Sequence, residues 1–323
     1  MHRREFLRVV AMLATPCTVT AQQAAPVRRM GVLFTSAGPS TAGRAIFIQS
    51  LRDLGWIEGQ NLSIERRYAN NNAELVPALA TELVQLKVEV IVTSGSVASL
   101  AAKRATTTIP IVASSGDPVL VGLVPSLSRP GGNITGISTT SPELTAKRLQ
   151  FLKGLLPSVT RIGELVNPAN PQERLMRTDY EQAYRSLDLQ PIFVEVTRAD
   201  QLEGAIAEFA RQRTQALVVR ADPLFLTNSD TIMRLAVKHV LPTMTEGRQF
   251  VAAGGLVSYA PNGAELTRQS AALVDKIHSG AKPGDPPFEQ PTKFELVINL
   301  QTAKTLGITI PQSLLLRADE VIQ

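Results

Sequence analysis

Cysteine and histidine are nearly absent from this chain. Among 323 residues there is one cysteine, Cys17, and three histidines, His2, His239 and His278. A disulfide scaffold is excluded, and so are thiolate metal sites once a leader carrying Cys17 is removed. His239 and His278 each fall near the end of a helical stretch, where a helix C-terminus favours a cation, and neither indicates catalysis or metal binding. Beyond the N-terminus no run of 18 apolar residues occurs, so nothing in the body of the chain reads as a transmembrane helix. No G-x-G-x-x-G follows a strand, and there is neither a G-x-x-x-x-G-K-[ST] loop nor a G-x-S-x-G elbow; no nucleotide cofactor is implied. Scattered acids leave a two-carboxylate hydrolase open without supporting one. The 33 Lys and Arg exceed the 28 acids by five. Part of that excess is Arg3, Arg4 and Arg8, and no later basic cluster is long enough to track a phosphate backbone, which argues against a nucleic-acid partner.

What is present is an ordinary globular composition, 44% hydrophobic and 19% charged, at a length that suggests two domains. Residues 1–21 combine a basic start, an apolar run from Val9 to Leu13 and small residues before Gln22, the layout of a secretory signal. Arg3-Arg4-Glu5-Phe6-Leu7 also fits twin-arginine export, and the two routes stay open. Pro16 before Cys17 argues against lipid attachment. Cleavage after Ala21 leaves an exported chain with no cysteine, which must be held by its core alone.

Apolar, β-branched runs alternate with helical periodicity. Strands are read at 29–34, 62–68, 88–93 and 109–113, with helices at 43–54, 73–86 and 97–105 between them. After a short strand at 134–138 the pattern restarts: helix 142–155, strand 161–166, helix 172–187, strand 191–196, helix 199–213, strand 216–219, helix 229–239, and strands at 242–245 and 255–259. A helix over 264–278, a Pro/Gly-rich stretch to Pro287, a segment over 292–299, a short helix near 302–306 and a final segment to Gln323 complete the chain. Strand-helix alternation of this kind builds parallel sheets covered by helices, and here two such units follow one another.

Ligands of open α/β sheets sit beyond the carboxyl ends of the strands. The residues there are small and polar: Thr35-Ser36-Ala37-Gly38, Ser94-Gly95-Ser96, Ser114-Ser115-Gly116-Asp117, then Asn167-Pro168-Ala169-Asn170, Ala221-Asp222-Pro223 and Thr245-Glu246. Hydroxyls and free N–H groups at a helix start suit a carboxylate or other anion, while Asp117, Asp222 and Glu246 suit an ammonium group. Each also reads as a helix cap, Asp117-Pro118 and Asp222-Pro223 most plainly.

Several stretches together resemble periplasmic substrate-binding proteins of ABC transporters, in the branch that includes tryptophan- and tyrosine-binding members. They are Gly55-Trp-Ile-Glu-Gly-Gln-Asn61, Ala105-Thr-Thr-Thr-Ile-Pro-Ile111, Ser115-Gly-Asp-Pro-Val119, Leu127-Ser-Arg-Pro-Gly-Gly-Asn-Ile-Thr-Gly136, Leu165-Val-Asn-Pro168, Phe250-Val-Ala-Ala-Gly-Gly-Leu256, Gln290-Pro-Thr-Lys-Phe-Glu-Leu-Val-Ile-Asn299 and Arg317-Ala-Asp-Glu-Val321. The likeness spans nearly all of the chain after the leader.

That resemblance implies two doubly wound parallel-sheet lobes joined by a three-crossing hinge, the type I periplasmic binding protein architecture. Lobe I would comprise 22–140 and 261–288, lobe II 141–260 and 289–323, with crossings near Thr139–Ser141, Tyr259–Pro261 and Phe288–Pro291. By the same likeness Ser94, Ser96, Ser115 and Asp117 would line the first lobe's wall, and Asn167, Asp222 and Glu246 the second's; Ser36, Gly95, Thr140 and Tyr259 complete the expected ligand-binding set. An apolar slot for an aromatic side chain has no evident place in the sequence. The implied function is capture of a small polar or zwitterionic molecule by a monomeric periplasmic protein that hands it to a membrane ABC permease, with no covalent chemistry and no cofactor. A receptor feeding a signalling partner, or an exported α/β enzyme, are the competing readings.

Overall fold

The computed structural model describes residues 27–140 and 142–323. The leader, Cys17 and Ser141 of the first expected crossing lie outside them. Two sheets carry the structure. The first is built from β1 (Arg28–Phe34), β2 (Leu62–Tyr68), β3 (Val90–Ser94), β4 (Ile111–Ser115) and β5 (Ile134–Ser138), with α1 (Thr41–Asp53), α2 (Val76–Gln85) and α3 (Ser96–Ala105) as its crossovers. All neighbours are parallel, in the order β2-β1-β3-β4-β5. The second lobe begins with α4 (Pro142–Leu155) and continues through β6 (Arg161–Val166), α5 (Pro171–Leu175), α6 (Arg177–Arg185), β7 (Gln190–Glu195), α7 (Leu202–Arg211), β8 (Ala216–Val219), α8 (Pro223–Thr227), α9 (Ser229–Lys238), β9 (Thr243–Thr245), α10 (Arg248–Ala252) and β10 (Val257–Pro261). Helix α11 (Gly263–His278) then packs beside α1 on the first sheet. The chain returns to the second sheet with β11 (Phe294–Asn299), α12 (Leu300–Thr305), α13 (Gln312–Leu315) and β12 (Glu320–Ile322).

The second sheet runs β12-β11-β10-β9-β8-β6-β7. Stripped of β11, which pairs antiparallel with β10, and of the edge strand β12, it repeats the order of the first sheet strand for strand. Each lobe therefore has its switch point between its first and third strands, β1/β3 in one and β6/β8 in the other. Doubly wound sheets offer a ligand crevice at that place.

Both sheets are covered on both faces, which is why their strands read as continuous apolar runs. In lobe I, alternate residues of the same strands enter opposite cores: Leu33, Ile91 and Ile111 pack toward α2 and α3, while Val32, Val90, Val92 and Val112 pack toward α1 and α11. In lobe II, Tyr184, Leu152 and Ile298 belong to one core and Phe209, Phe225 and Phe250 to the other. The single tryptophan belongs to the scaffold: Trp56 Nε1 donates to Asp275 Oδ1 at 2.9 Å and its ring lies 4.8 Å from that of His278, tying α11 to lobe I. Burial outweighs the neighbouring Glu89 and Asp275 carboxylates at His278 and holds its pKa below the usual range, so the expected cation is not favoured there.

Three short helices, α8, α10 and α13, have too few residues to show helical periodicity, which is why the sequence pattern omits them. The helix expected over 172–187 is broken at Met176, where φ −84° and ψ 0° separate α5 from α6. The break turns Gln172 and Glu173 toward the space between the lobes while Tyr180 and Tyr184 are buried in lobe II.

Candidate ligand-binding site

The two switch points face each other across a cleft of about 1430 Å³. Its lobe I wall is made of loop hydroxyls and backbone. Thr35 follows β1, Ser94 ends β3, and Gly95 and Ser96 open α3; Ser114 lies at the end of β4, and Thr139 and Thr140 follow β5. Gly95 is the N-cap of α3 with φ +86°, a left-handed conformation that favours glycine, and no side chain caps the helix. The first amides of a ten-residue helix thus open onto the cleft with the positive end of its dipole. Ser96 is positioned from behind by Ser115, whose Oγ lies 3.0 Å from Ser96 Oγ.

The lobe II wall is charged and buried. Arg148, from α4, donates from Nη1 to Glu246 Oε1 at 2.6 Å and from Nε to the carbonyl of Tyr259 at 2.7 Å. Arg220, just past β8, pairs with Glu164 in the middle of β6; its Nη1 lies 3.8 Å from Glu246 and its guanidinium carbon 3.2 Å above the ring of Tyr180. Glu164 also accepts from the hydroxyl of Tyr184. Both guanidinium groups and Glu164 are 4% exposed or less. Taking such ions out of water costs several kcal/mol each, so they persist only because each is paired and hydrogen-bonded. Asp222, also buried, accepts from Asn167 Nδ2 at 2.9 Å, from Asn170 Nδ2 at 3.1 Å and from the amide of Leu224 at 2.9 Å. Burial nevertheless raises its pKa against those three bonds.

The walls touch at Gln172. Its Oε1 accepts from Ser96 Oγ at 3.3 Å and from the Asp117 amide at 3.2 Å, while its Nε2 faces Met176 Sδ at 3.4 Å. The approach requires Gly116, since a Cβ there would stand 1.7 Å from Gln172 Oε1. On the other side of β3 lies a smaller cavity of about 240 Å³ lined by Val32, Phe34, Phe47, Ile64, Tyr68 and Leu266. It shares Ser94, Ser114 and Leu266 with the cleft, and its lining is mostly apolar.

Of the expected ligand-binding residues, Ser94, Gly95, Ser96, Thr140, Asn167, Asp222 and Glu246 line the cleft. Four do not. Ser36 turns to its own loop, accepting from the Gly38 amide, and Thr35 takes its place. Ser115 stands behind Ser96 and is 1% exposed. Asp117 spends Oδ1 on the amides of Val119 and Leu120 at 3.0 and 2.9 Å, capping a turn. Tyr259 offers only its carbonyl, and its ring packs between Phe151 and Phe294. The sequence reading missed Arg148, Gln172, Glu173, Tyr180 and Arg220. One signal was available: Glu164 within the apolar strand Arg161–Val166 needs a buried cation, and Arg220 directly follows another buried strand.

Residues 34–322 match the family profile described as ABC transporter substrate binding protein. The chain belongs to that family. Among curated relatives, a tyrosine-binding protein of Clostridioides difficile strain R20291 is 26% identical over 264 residues, 81% of this chain and 75% of the relative. A conserved domain protein from Vibrio cholerae O1 biovar eltor is 25% identical, with a TM-score of 0.86 over 91% of this chain and 99% of its own. A Streptococcus pneumoniae protein solved in complex with L-Trp is 23% identical, with a TM-score of 0.83 over 92% of this chain and 100% of its own. These likenesses and the paired sheets establish the type I periplasmic binding fold. The family consists of substrate-binding proteins rather than enzymes.

Proposed function

We propose that this protein is the exported, periplasmic, monomeric receptor of an ABC import system, and that it captures a small zwitterion such as an amino acid between its lobes for delivery to a membrane permease. The observation that carries the reading is the asymmetry of the cleft. A carboxylate suits the uncapped α3 terminus and the hydroxyls of Ser94, Ser96 and Thr140, and an ammonium group suits the carboxyl groups among the ions of the lobe II wall. The apolar cavity beside Ser94 and Ser114 has room for a hydrophobic side chain. Tyrosine and tryptophan, bound by relatives of this chain, combine these three features. Capture then needs no bond to be made or broken, only a higher affinity in the closed arrangement than in the open one.

The test is a thermal-shift screen of the chain from Gln22 onward, unfolded and refolded to strip retained ligand, against amino acids, small aromatic and aliphatic acids, and ureas. A ligand at about 100 times its Kd adds about 2.7 kcal/mol to the folded state, worth several degrees at about 2 °C or more per kcal/mol. A shift confined to amino acids, with the compound recovered unchanged, supports the reading. Silence across the amino acids sinks it.

A further inference from the structure

The acids expected to hold an ammonium group are all engaged elsewhere. Asp117 caps a turn, Asp222 already accepts three hydrogen bonds, and Glu246 is bound to Arg148 and accepts from the Ala221 amide at 3.3 Å. Of the other carboxyls lining the cleft, Glu74 is exposed and Glu295 accepts from Asn262 Nδ2. Glu173, on α5 beside Gln172, is 94% buried, its Oε2 has no hydrogen-bond partner among the described residues, and it lines the cleft opposite the α3 terminus. Its nearest cation, Arg220 Nε, lies 3.6 Å away and donates to Glu164 instead.

We infer that Glu173 is the receptor for the cationic group of the ligand, exchanging a proton for that cation as the ligand binds. The assignment rests on the zwitterion reading proposed above and adds to it the residue that selects for an amine. Charge bookkeeping around Glu173 explains the exchange. Facing it are Arg220 beyond β8, Glu164 in β6, Glu246 beyond β9, Asp222 ahead of α8 and Tyr180 on α6, with Arg148 on α4 behind Glu246; Ser96 on α3 brings no charge. Arg220 and, behind Glu246, Arg148 are already outnumbered by Glu164, Glu246 and Asp222, so an ionised Glu173 is surplus. Burial first, and the three neighbouring carboxylates after it, outweigh Arg220 and push its pKa up to about 8. At neutral pH the empty site therefore carries a proton on Glu173. An ammonium group placed against Oε2 supplies the missing positive charge, and the proton leaves to solvent. Atoms and charge balance: one cation enters and one proton departs.

The experiment pairs amines with their deamino counterparts on the refolded chain: L-tryptophan with indole-3-propionate, L-tyrosine with 3-(4-hydroxyphenyl)propionate, and L-leucine with 4-methylpentanoate. Affinities are read by calorimetry in phosphate and in Tris. The amines should bind, releasing about one proton at pH 7, and their affinity should rise about tenfold from pH 6 to pH 7 and level off above pH 8. Glu173→Gln should cost the amines about ten- to hundredfold, abolish proton release, and leave any binding of the acids within about twofold. The pH series needs only the natural chain and decides the matter even if that variant misfolds. Amine binding with no proton release overturns this assignment and leaves the zwitterion reading standing, whereas equal affinity for acids and amines overturns both. No response to any of the six overturns both.

Discussion

The two walls of the cleft are built by the same strand order yet present opposite chemistry. At the lobe I switch point the strands end in Thr35, Ser94 and Gly95, small groups whose hydrogen bonds are local and whose removal strands no charge. At the lobe II switch point the equivalent strands hold Glu164 and lead into Arg220, and the wall is a web of ions sealed from water. A fold of this kind sets where a site lies but not what it is made of. The neutral wall can lose a member cheaply, whereas the charged wall stands or falls as a unit, because each ion is tolerated only through its partner.

The sharpest way to break that contrast is to remove one member from each side. Arg220→Ala leaves Glu164, which has no solvent exposure, without its cation and should destabilise lobe II by about 3–5 kcal/mol. Ser96→Ala should cost about 1 kcal/mol or less. Urea unfolding followed by the two midpoints and slopes checks this. Restoring neutrality with Arg220→Met in combination with Glu164→Gln should recover much of the loss, and failure of the pair to recover it would mean that packing, not charge, holds the wall.

A second difference between the walls is their response to pH. Glu173 is held near pKa 8 in the folded chain against the ordinary 4.5 of an exposed carboxyl. The folded state therefore binds the extra proton between those values, and stability falls as pH rises through that window, by up to about 1.4 kcal/mol per pH unit. Below about pH 4.5 both states are protonated and the effect is flat; above about pH 8 both are ionised and the full loss is in place. Thermal midpoints of the natural chain and of Glu173→Gln, taken without ligand from pH 5 to 9, should diverge in this sense. Parallel curves would show that Glu173 is ionised in the fold.

This asymmetry also explains how much could be read from the sequence. Hydroxyls and glycines that follow a strand are local features, visible in the order of residues, and so the sequence alone points to Ser94, Gly95, Ser96 and Asn167, which line the cleft. Arg148 lies mid-helix on α4 and Glu173 on a five-residue helix, and each reaches the cleft only through the packing of α4, α5 and the second sheet. No periodicity marks such positions, since a buried arginine and a solvated one occupy equivalent places in a helical repeat until the fold is known. The smaller apolar cavity was hidden for a similar reason: Phe34, Phe47, Ile64 and Leu266 come from β1, α1, β2 and α11, the last more than 200 residues away in sequence from the others. Asp117 and Tyr259 lie off the cleft wall, because a turn cap and a core aromatic share the loop positions where ligand contacts arise.

Where the walls meet, the comparison becomes a coupling. Gln172 belongs to lobe II but spends its oxygen on Ser96 and on the Asp117 amide of lobe I. Gln172→Ala should remove about 1 kcal/mol from the closed arrangement while leaving each lobe intact. Gly116→Ala should do the same by expelling the Gln172 amide, because the side-chain end can swing away while the backbone cannot. The two changes act on one contact, so the double variant should be no worse than either single one. Small-angle scattering of the unliganded chain, together with ligand affinity, reads both; additive losses would mean that Gly116 and Gln172 matter separately.

The smallest effect should come from the slot behind the neutral wall. Leu266 sits at the junction of slot and cleft and is only partly buried, so Leu266→Trp should change unliganded stability by no more than about 1 kcal/mol while filling space a ligand side chain would use. If that space takes the apolar part of the ligand, affinity for L-tryptophan should fall about fivefold relative to L-alanine, a difference of about 1 kcal/mol. If both amino acids weaken equally, the slot is a packing gap of lobe I, and selectivity must lie in the cleft itself, where Tyr180 is the aromatic ring on the wall and is already covered by Arg220.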